Sequence, residues 1–262
     1  MTALQAQHIS SRDNALLKEL RRLAQDNTAY KKQGRLWIEG DHLCRAALLR
    51  GLQPVVAVFT ESFWPIAPAA LTRCAVKTVV IPDQFFRDIS GLESPASMGF
   101  VLDTPTQSEI SPTVATVILD RVQDAGNVGS ILRSAGAFGF KQILAIKGTA
   151  ALWSPKVLRA GMGAHFGLNL HEGVSLEQVD LLQVPILVTS SHEGIYLHEA
   201  LRQQALPGVC AWAMGHEGQG VCAELVRRAQ VQVRIAQPGG EESLNVAAAA
   251  AICLQASASA SL

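Results

Sequence analysis

DRVQDAGNVGSILRSAGAFGF (120–140) follows directly on the apolar run VATVIL (114–119). An apolar run that ends in a glycine-bearing turn and resumes on a helical period reads as strand, turn and helix. Val128, Ile131, Leu132, Ala135 and Phe138 share one helical face, Asn127 stands at a favoured N-cap position, and Gly139 stops the helix. Arg133 lies about 200° round from Ile131 at ~100° per residue, away from the apolar stripe. Taken alone, Asn127 reads first as a plain cap and Arg133 as a solvated surface arginine. The glycine spacing is not that of a dinucleotide fingerprint. Gly126 and Gly129 are separated by two residues, not one, so GxGxxG is absent, as is GxxxxGKS/T. A phosphate cradle for NAD or ATP does not fit, which counts against a dehydrogenase.

Strand-like runs recur at 114–120, 141–147, 184–190, 209–215 and 231–236, with helical material between them. Runs apolar on both faces predict a mostly parallel sheet covered by helices. Upstream, Leu16, Leu17, Leu20 and Leu23 mark a helix, and 35–51 reads as a short strand followed by a helix from about Asp41 to Gly51. Further strands are expected at 55–60, 76–82 and 98–102, and DTPTQSEISPT (103–113) has the prolines and polar turn residues of a linker. The expected organisation is two α/β domains, 1–105 and 112–262.

The 262 residues are 48% hydrophobic and 17% charged, enough apolar material for a core and too little charge for disorder. Net charge is zero but unevenly placed: residues 1–50 hold nine Lys/Arg against five Asp/Glu (+4), and the remainder thirteen against seventeen (−4). The basic segment fits a polyanion footprint or a solvated helix face. Five cysteines without a CxxC pair argue against a disulfide framework or a metal site and for a reducing cytosol. MTALQAQHIS lacks the pattern of a signal peptide, and the longest apolar run, VAAAAAICL (246–254), falls short of the ~20 residues a membrane span needs. A cytoplasmic protein with no membrane partner is expected.

Two later stretches share the character of the first. AMGHEGQGV (213–221) ends an apolar run with Gly215, Gly218 and Gly220 around Glu217, a position where a ligand can approach the main chain. It reads equally as an ordinary strand-to-helix turn. In IAQPGGEESLNVAAAAAICL (235–254), Pro238, Gly239 and Gly240 break a strand, Ser243 is placed to cap the next helix, and Asn245 falls in its first turn. The alanine run 247–251 suits very close packing, and the ASASASL tail (256–262) is expected to fray.

N-V-G-x-I-x-R, then G-x-E-G-x-G, then I-x-Q…S-L-N-V, in that order, resemble the three motifs of the SpoU (TrmH-like) family of the SPOUT superfamily. The resemblance covers roughly 112–256, with WSPKVLRAGMGAHF (153–166) similar to the family's helix after the second strand. Residues 1–105, mainly through GRLWIEGDHLCRAAL, resemble the small ribosomal-protein-like α/β domain that many members carry. The resemblance implies a C-terminal domain with a parallel sheet and a deep trefoil knot, a homodimer, and S-adenosylmethionine-dependent methylation of a ribose 2′-hydroxyl in RNA. Large-subunit (23S) ribosomal RNA is the expected substrate. A tRNA enzyme and a non-catalytic RNA-binding protein of the same fold are the alternatives.

By that resemblance Gly215, Ile235, Gln237 and Leu244 contact the cofactor, and Asn127, Arg133, Glu217, Ser243 and Asn245 form the polar active centre. Arginine keeps its proton well above neutral pH, which favours Arg133 as a stabiliser of the 2′-oxyanion and adjacent phosphate over a general base. Ala125 stands where the family often has proline, His216 where it has a small residue, and Gln237 where it has methionine. The basic side chains Arg12, Lys18, Arg21, Arg22, Lys31, Lys32 and Arg35 are the candidate RNA grip, of the kind that holds phosphates without reading sequence.

Overall fold

The computed structural model describes residues 6–190, 193–239 and 243–260, and the chain divides into two compact units. Unit 1 comprises 1–106 together with 153–166, and unit 2 comprises 107–152 with 167–262. The stretch 153–166, expected to belong with the C-terminal motifs, thus packs with the N-terminal segment.

Unit 1 contains strands β1 (Gln7–His8), β2 (Arg35–Glu39), β3 (Val56–Thr60), β4 (Lys77–Ile81) and β5 (Met98–Asp103). Its helices are α1 (Ala15–Gln25), α2 (Ala29–Gln33), α3 (Asp41–Leu49), α4 (Ala69–Thr72) and α5 (Asp83–Ile89), joined by Pro155–Gly161, which is α7 in chain order. The sheet order is β1-β4-β3-β5-β2, with β5 antiparallel to both its neighbours. The leucine stripe of α1 is buried as its spacing requires: Leu17, Leu20 and Leu23 join Val58, Val79 and Phe86 in one apolar cluster. Asn14 caps the helix by accepting the Leu16 N–H.

Unit 2 contains β6 (Thr116–Asp120), α6 (Ala125–Ala137), β7 (Gln142–Ile146), β8 (Asn169–Val174), α8 (Leu176–Val179) and β9 (Ile186–Thr189). It continues with β10 (Ile195–Tyr196), α9 (Leu197–Arg202), β11 (Ala211–Gly215), α10 (Ala223–Arg228), β12 (Val231–Arg234) and α11 (Val246–Ala260). All seven strands run parallel in the order β10-β12-β9-β11-β6-β7-β8. The five expected strands are present. Two were not expected: β8, whose Asn169, His171, Glu172 and Gly173 mask its apolar positions, and the two-residue β10.

After β12 the chain is two strand positions from β11, yet α11 returns to pack on α6, β11 and α9. The alanines make this close packing possible. Trp212 is fully buried, and its indole N–H donates to Ser257 Oγ at 2.8 Å. That bond corrects the expectation of a frayed tail: helix continues to Ala260, with Ala256 and Ser257 buried, and only 261–262 lie outside the described residues. No described helix is long and apolar enough to cross a membrane.

Candidate active site

Because the strands are parallel, the ends of β6, β11 and β12 emerge on one edge of the sheet, where open α/β sheets take their ligands. β6 and β11 are direct neighbours, with Asp120 opposite Gly215. The three singled-out stretches begin at these ends.

In the first, the N-cap of α6 is Asp124, whose Oδ1 accepts the Asn127 N–H at 2.7 Å. This corrects the assignment of Asn127 as the cap. Aspartate and asparagine cap equally well, and the one at the boundary takes the role. Asn127, in the first turn, keeps its side chain available.

In the second, the main chain folds back onto itself. His216 N–H donates to Gly220 O at 3.0 Å, and Gly220 N–H returns to His216 O at 2.8 Å. His216 Nδ1 accepts the Gly218 N–H at 3.0 Å, so the histidine shapes this loop from within. A side chain at Gly215 would lie 2.1 Å from the Gly220 carbonyl carbon, so only glycine fits there.

The loop presents Glu217 to the first stretch. Its Oε1 accepts Asp124 N–H at 3.1 Å and Asn127 Nδ2 at 3.1 Å, and its Oε2 accepts Gln123 N–H at 3.2 Å. Partial burial pushes this carboxyl up, but the donors Asp124, Asn127 and Gln123 outweigh it and hold it below its ordinary value.

In the third, Asn245 is the helix cap: its Oδ1 accepts Ala247 and Ala248 N–H at 2.9 and 3.2 Å. Ser243, expected to cap, lies outside the helix, is exposed, and makes no hydrogen bond to another described residue. Asn245 Nδ2 donates to Asn127 Oδ1 at 2.9 Å. A continuous polar chain, Glu217–Asn127–Asn245, therefore joins segments about a hundred residues apart.

Arg133 is not part of that chain. It stands six residues beyond Asn127 on α6, ~9 Å along the axis at 1.5 Å per residue, exposed and without a hydrogen bond or ion pair to another described residue. Of the expected cofactor contacts, Gly215 ends β11, and Ile235 and Gln237 follow β12, both half-buried. Leu244 is 40% exposed, a large apolar side chain left open beside the asparagines. Gln237 Oε1 is buried and accepts no hydrogen bond from a described residue. Gly240 lies outside the described residues.

The basic residues of unit 1 are more compensated than their sequence density suggests. Arg12 pairs with Asp88 at 2.8 Å, Lys18 with Asp13 at 3.2 Å, and Arg35 with Glu19 at 3.1 Å and Asp103 at 3.9 Å. Arg21 donates to the Arg12 carbonyl, and Lys31 lies 5.7 Å from the Tyr30 ring. Arg22 and Lys32 are exposed.

Asp120, Arg121 and Gln219, not expected from sequence, connect the same strand ends. Asp120 is buried yet charged at the end of an apolar strand, and Arg121 beside it supplies the counter-charge at 2.8 Å. An acid–base dipeptide closing a strand apolar on both faces was the available signal, since a buried carboxylate must be paired.

The chain matches the SpoU rRNA Methylase family over residues 115–255, a span that contains all three stretches. It is 28% identical over 248 residues to the 23S rRNA (guanosine(2553)-2′-O)-methyltransferase RlmP of Bacillus subtilis, covering 93% of this chain and 96% of that one. It is 31% identical over 262 residues to slr1673 of Synechocystis, an uncharacterized tRNA/rRNA methyltransferase, covering 94% and 91%. Its fold is that of the AdoMet-bound rRNA methyltransferase from Sinorhizobium meliloti, with a TM-score of 0.82 at 24% identity over 96% of this chain and 97% of that one.

Proposed function

The chain belongs to the SpoU rRNA methylase family, and from that premise we propose that it transfers a methyl group from S-adenosylmethionine to a ribose 2′-hydroxyl of RNA, with 23S ribosomal RNA as substrate. The observation that carries the reading is the hydrogen-bonded chain Glu217–Asn127–Asn245 at the carboxyl edge of the parallel sheet. It gathers one polar residue from each motif.

The residues present fit the cofactor. Gln237 has a buried amide oxygen in want of an N–H donor, which an adenine amino group supplies, and Leu244 and Ile235 offer apolar surface. Bound there, S-adenosylmethionine supplies an electrophilic methyl on a positively charged sulfur. Glu217 fixes the orientation of the Asn127 amide, and Asn127 in turn fixes that of Asn245, so both asparagines are set before a ligand arrives. Arg133, uncompensated by any described carboxylate, stabilises the 2′-oxyanion and the adjacent phosphate as charge develops, and Ser243 hydrogen-bonds near the reacting groups. Arg133 acts with RNA bound, when the hydroxyl is brought to it.

Unit 1 is the RNA-holding domain, with a ribosomal-protein-like fold, and Arg22 and Lys32, together with the already partnered Arg12, Lys18, Arg21, Lys31 and Arg35, contact phosphates. The return of α11 from beyond β12 to β11 and α6 supports a trefoil knot, and the small, exposed α6 residues Ser130, Gly136 and Ala137 suit a homodimer contact. A cytoplasmic location follows from a ribosomal substrate.

The test is transfer of labelled methyl to separated 23S rRNA, 16S rRNA and tRNA from cells lacking the gene. Label on 23S rRNA, reduced about 10²–10³-fold by Arg133→Ala, the range for loss of a transition-state charge partner, is expected. Label on tRNA would instead support the reading suggested by the name of the Synechocystis relative. No label, with no donor binding, would mean a non-catalytic RNA-binding protein.

A further inference from the structure

Several strand ends meet at one arginine. Arg121, directly after β6, has φ 59°, a left-handed backbone that side chains rarely adopt. Its N–H donates to Thr149 Oγ1 at 3.1 Å, and that hydroxyl donates to Leu119 O at 2.9 Å. Its Nε and Nη2 donate to the two oxygens of Asp120 at 2.8 and 3.3 Å, and Asp120 is 1% exposed. Asp120 Oδ2 also accepts the Cys222 N–H at 2.6 Å, and Arg121 Nη1 reaches Gln219 Oε1 at 3.2 Å. One buried carboxylate and one guanidinium thus hold the 216–222 loop at its middle and at its far end. Its near end is held by the His216–Gly220 pair.

Glu217 lies within this loop, and its three donors, Gln123 N–H, Asp124 N–H and Asn127 Nδ2, all lie outside it. We propose that Asp120, Arg121 and Gln219 form a positioning latch that sets the 216–222 loop, and through it Glu217 and Asn127, for donor binding and methyl transfer. The proposal rests on the methyltransferase reading above. Arg121 answers the charge of Asp120, but Gln219 is exposed and adds nothing to the core, so its bond to Arg121 bears on loop position. A left-handed non-glycine residue held by its surroundings beside a candidate site is where positional constraint collects.

Gln219→Ala and Gln219→Glu are the variants, read by hydrogen exchange of residues 216–222 in the donor-free protein, by calorimetric donor binding, and by kcat and KM for RNA. Gln219→Ala is expected to raise exchange in the loop and to lower donor affinity or kcat about tenfold, the scale of one hydrogen bond to a charged group. Thermal midpoint and KM for RNA stay unchanged, and Gln219→Glu, which keeps an acceptor for Arg121, restores both exchange and rate. Unchanged exchange in Gln219→Ala, or loss that Gln219→Glu does not restore, overturns the latch. Exchange without donor or RNA decides the latch even if the wild type transfers no methyl. That failure would overturn the methyltransferase reading alone.

Discussion

At position 215 a methyl group has nowhere to go, because the Gly220 carbonyl carbon lies 2.1 Å from where the new carbon would be. Gly215→Ala must displace main chain, so a loss of about 1–3 kcal/mol is expected, seen as a lower midpoint in urea, with methyl transfer falling alongside. An unchanged midpoint would mean that the loop can fold another way. Glu217 makes a different prediction. Burial pushes its carboxyl up in the folded chain, but hydrogen bonds from Asp124 N–H, its own N–H, Asn127 and Gln123 outweigh that and hold it below its ordinary value. Its contribution is therefore present above the unfolded value, about 4.3, and is lost as pH falls through the lower folded value. Comparing wild type with Glu217→Gln in urea from pH 7 to pH 3 should show a stability gap that closes only below about pH 4.3. A gap constant with pH would remove the charge from the explanation.

The two roles of Asn245 belong to the scale of the element. As cap of α11 it accepts two main-chain N–H groups, and as neighbour of Asn127 it donates one bond. Asn245→Asp keeps the acceptor and loses the donor. Its stability should stay within about 0.5 kcal/mol of wild type, since aspartate caps as well as asparagine, while methyl transfer drops. Asn245→Ala should lose about 1 kcal/mol of stability as well. Equal activity in Asn245→Asp and wild type would leave Asn245 a cap and nothing more. The contrast with Ser243 is instructive: serine and asparagine are both good caps, and the helix began at the second of them.

Across the whole molecule, the five cysteines report how completely the cores close. Cys44, Cys210 and Cys253 are buried, Cys74 and Cys222 partly so. Burial pushes the Cys253 thiol up to about 12 and Cys210 to about 11, and Cys44 well above its ordinary value. Native protein at pH 8 should therefore react with iodoacetamide slowly, at Cys74 and Cys222 first, and all five thiols should react in urea. Rapid native labelling of Cys210 or Cys253 would show that α11 opens from β11 and would revise the packing described for it.

Periodicity and the order of three short motifs were enough to expect an α/β chain, a parallel C-terminal sheet, its five main strands, and the identities of Asn127, Glu217 and Asn245. These are local properties: apolar runs, glycines at strand ends and good capping residues act within a few positions of themselves. The strand β8, the buried end of the tail and the Asp120–Arg121–Gln219 network were decided by tertiary contacts. Trp212 gives Ser257 its partner, Leu170 and Val174 are drawn onto β7 despite polar neighbours, and Gln219 meets Arg121 from ninety-eight positions away. Hydrogen-bond partners so far apart leave no periodic trace in the chain, because what joins them is the order of strands in a sheet.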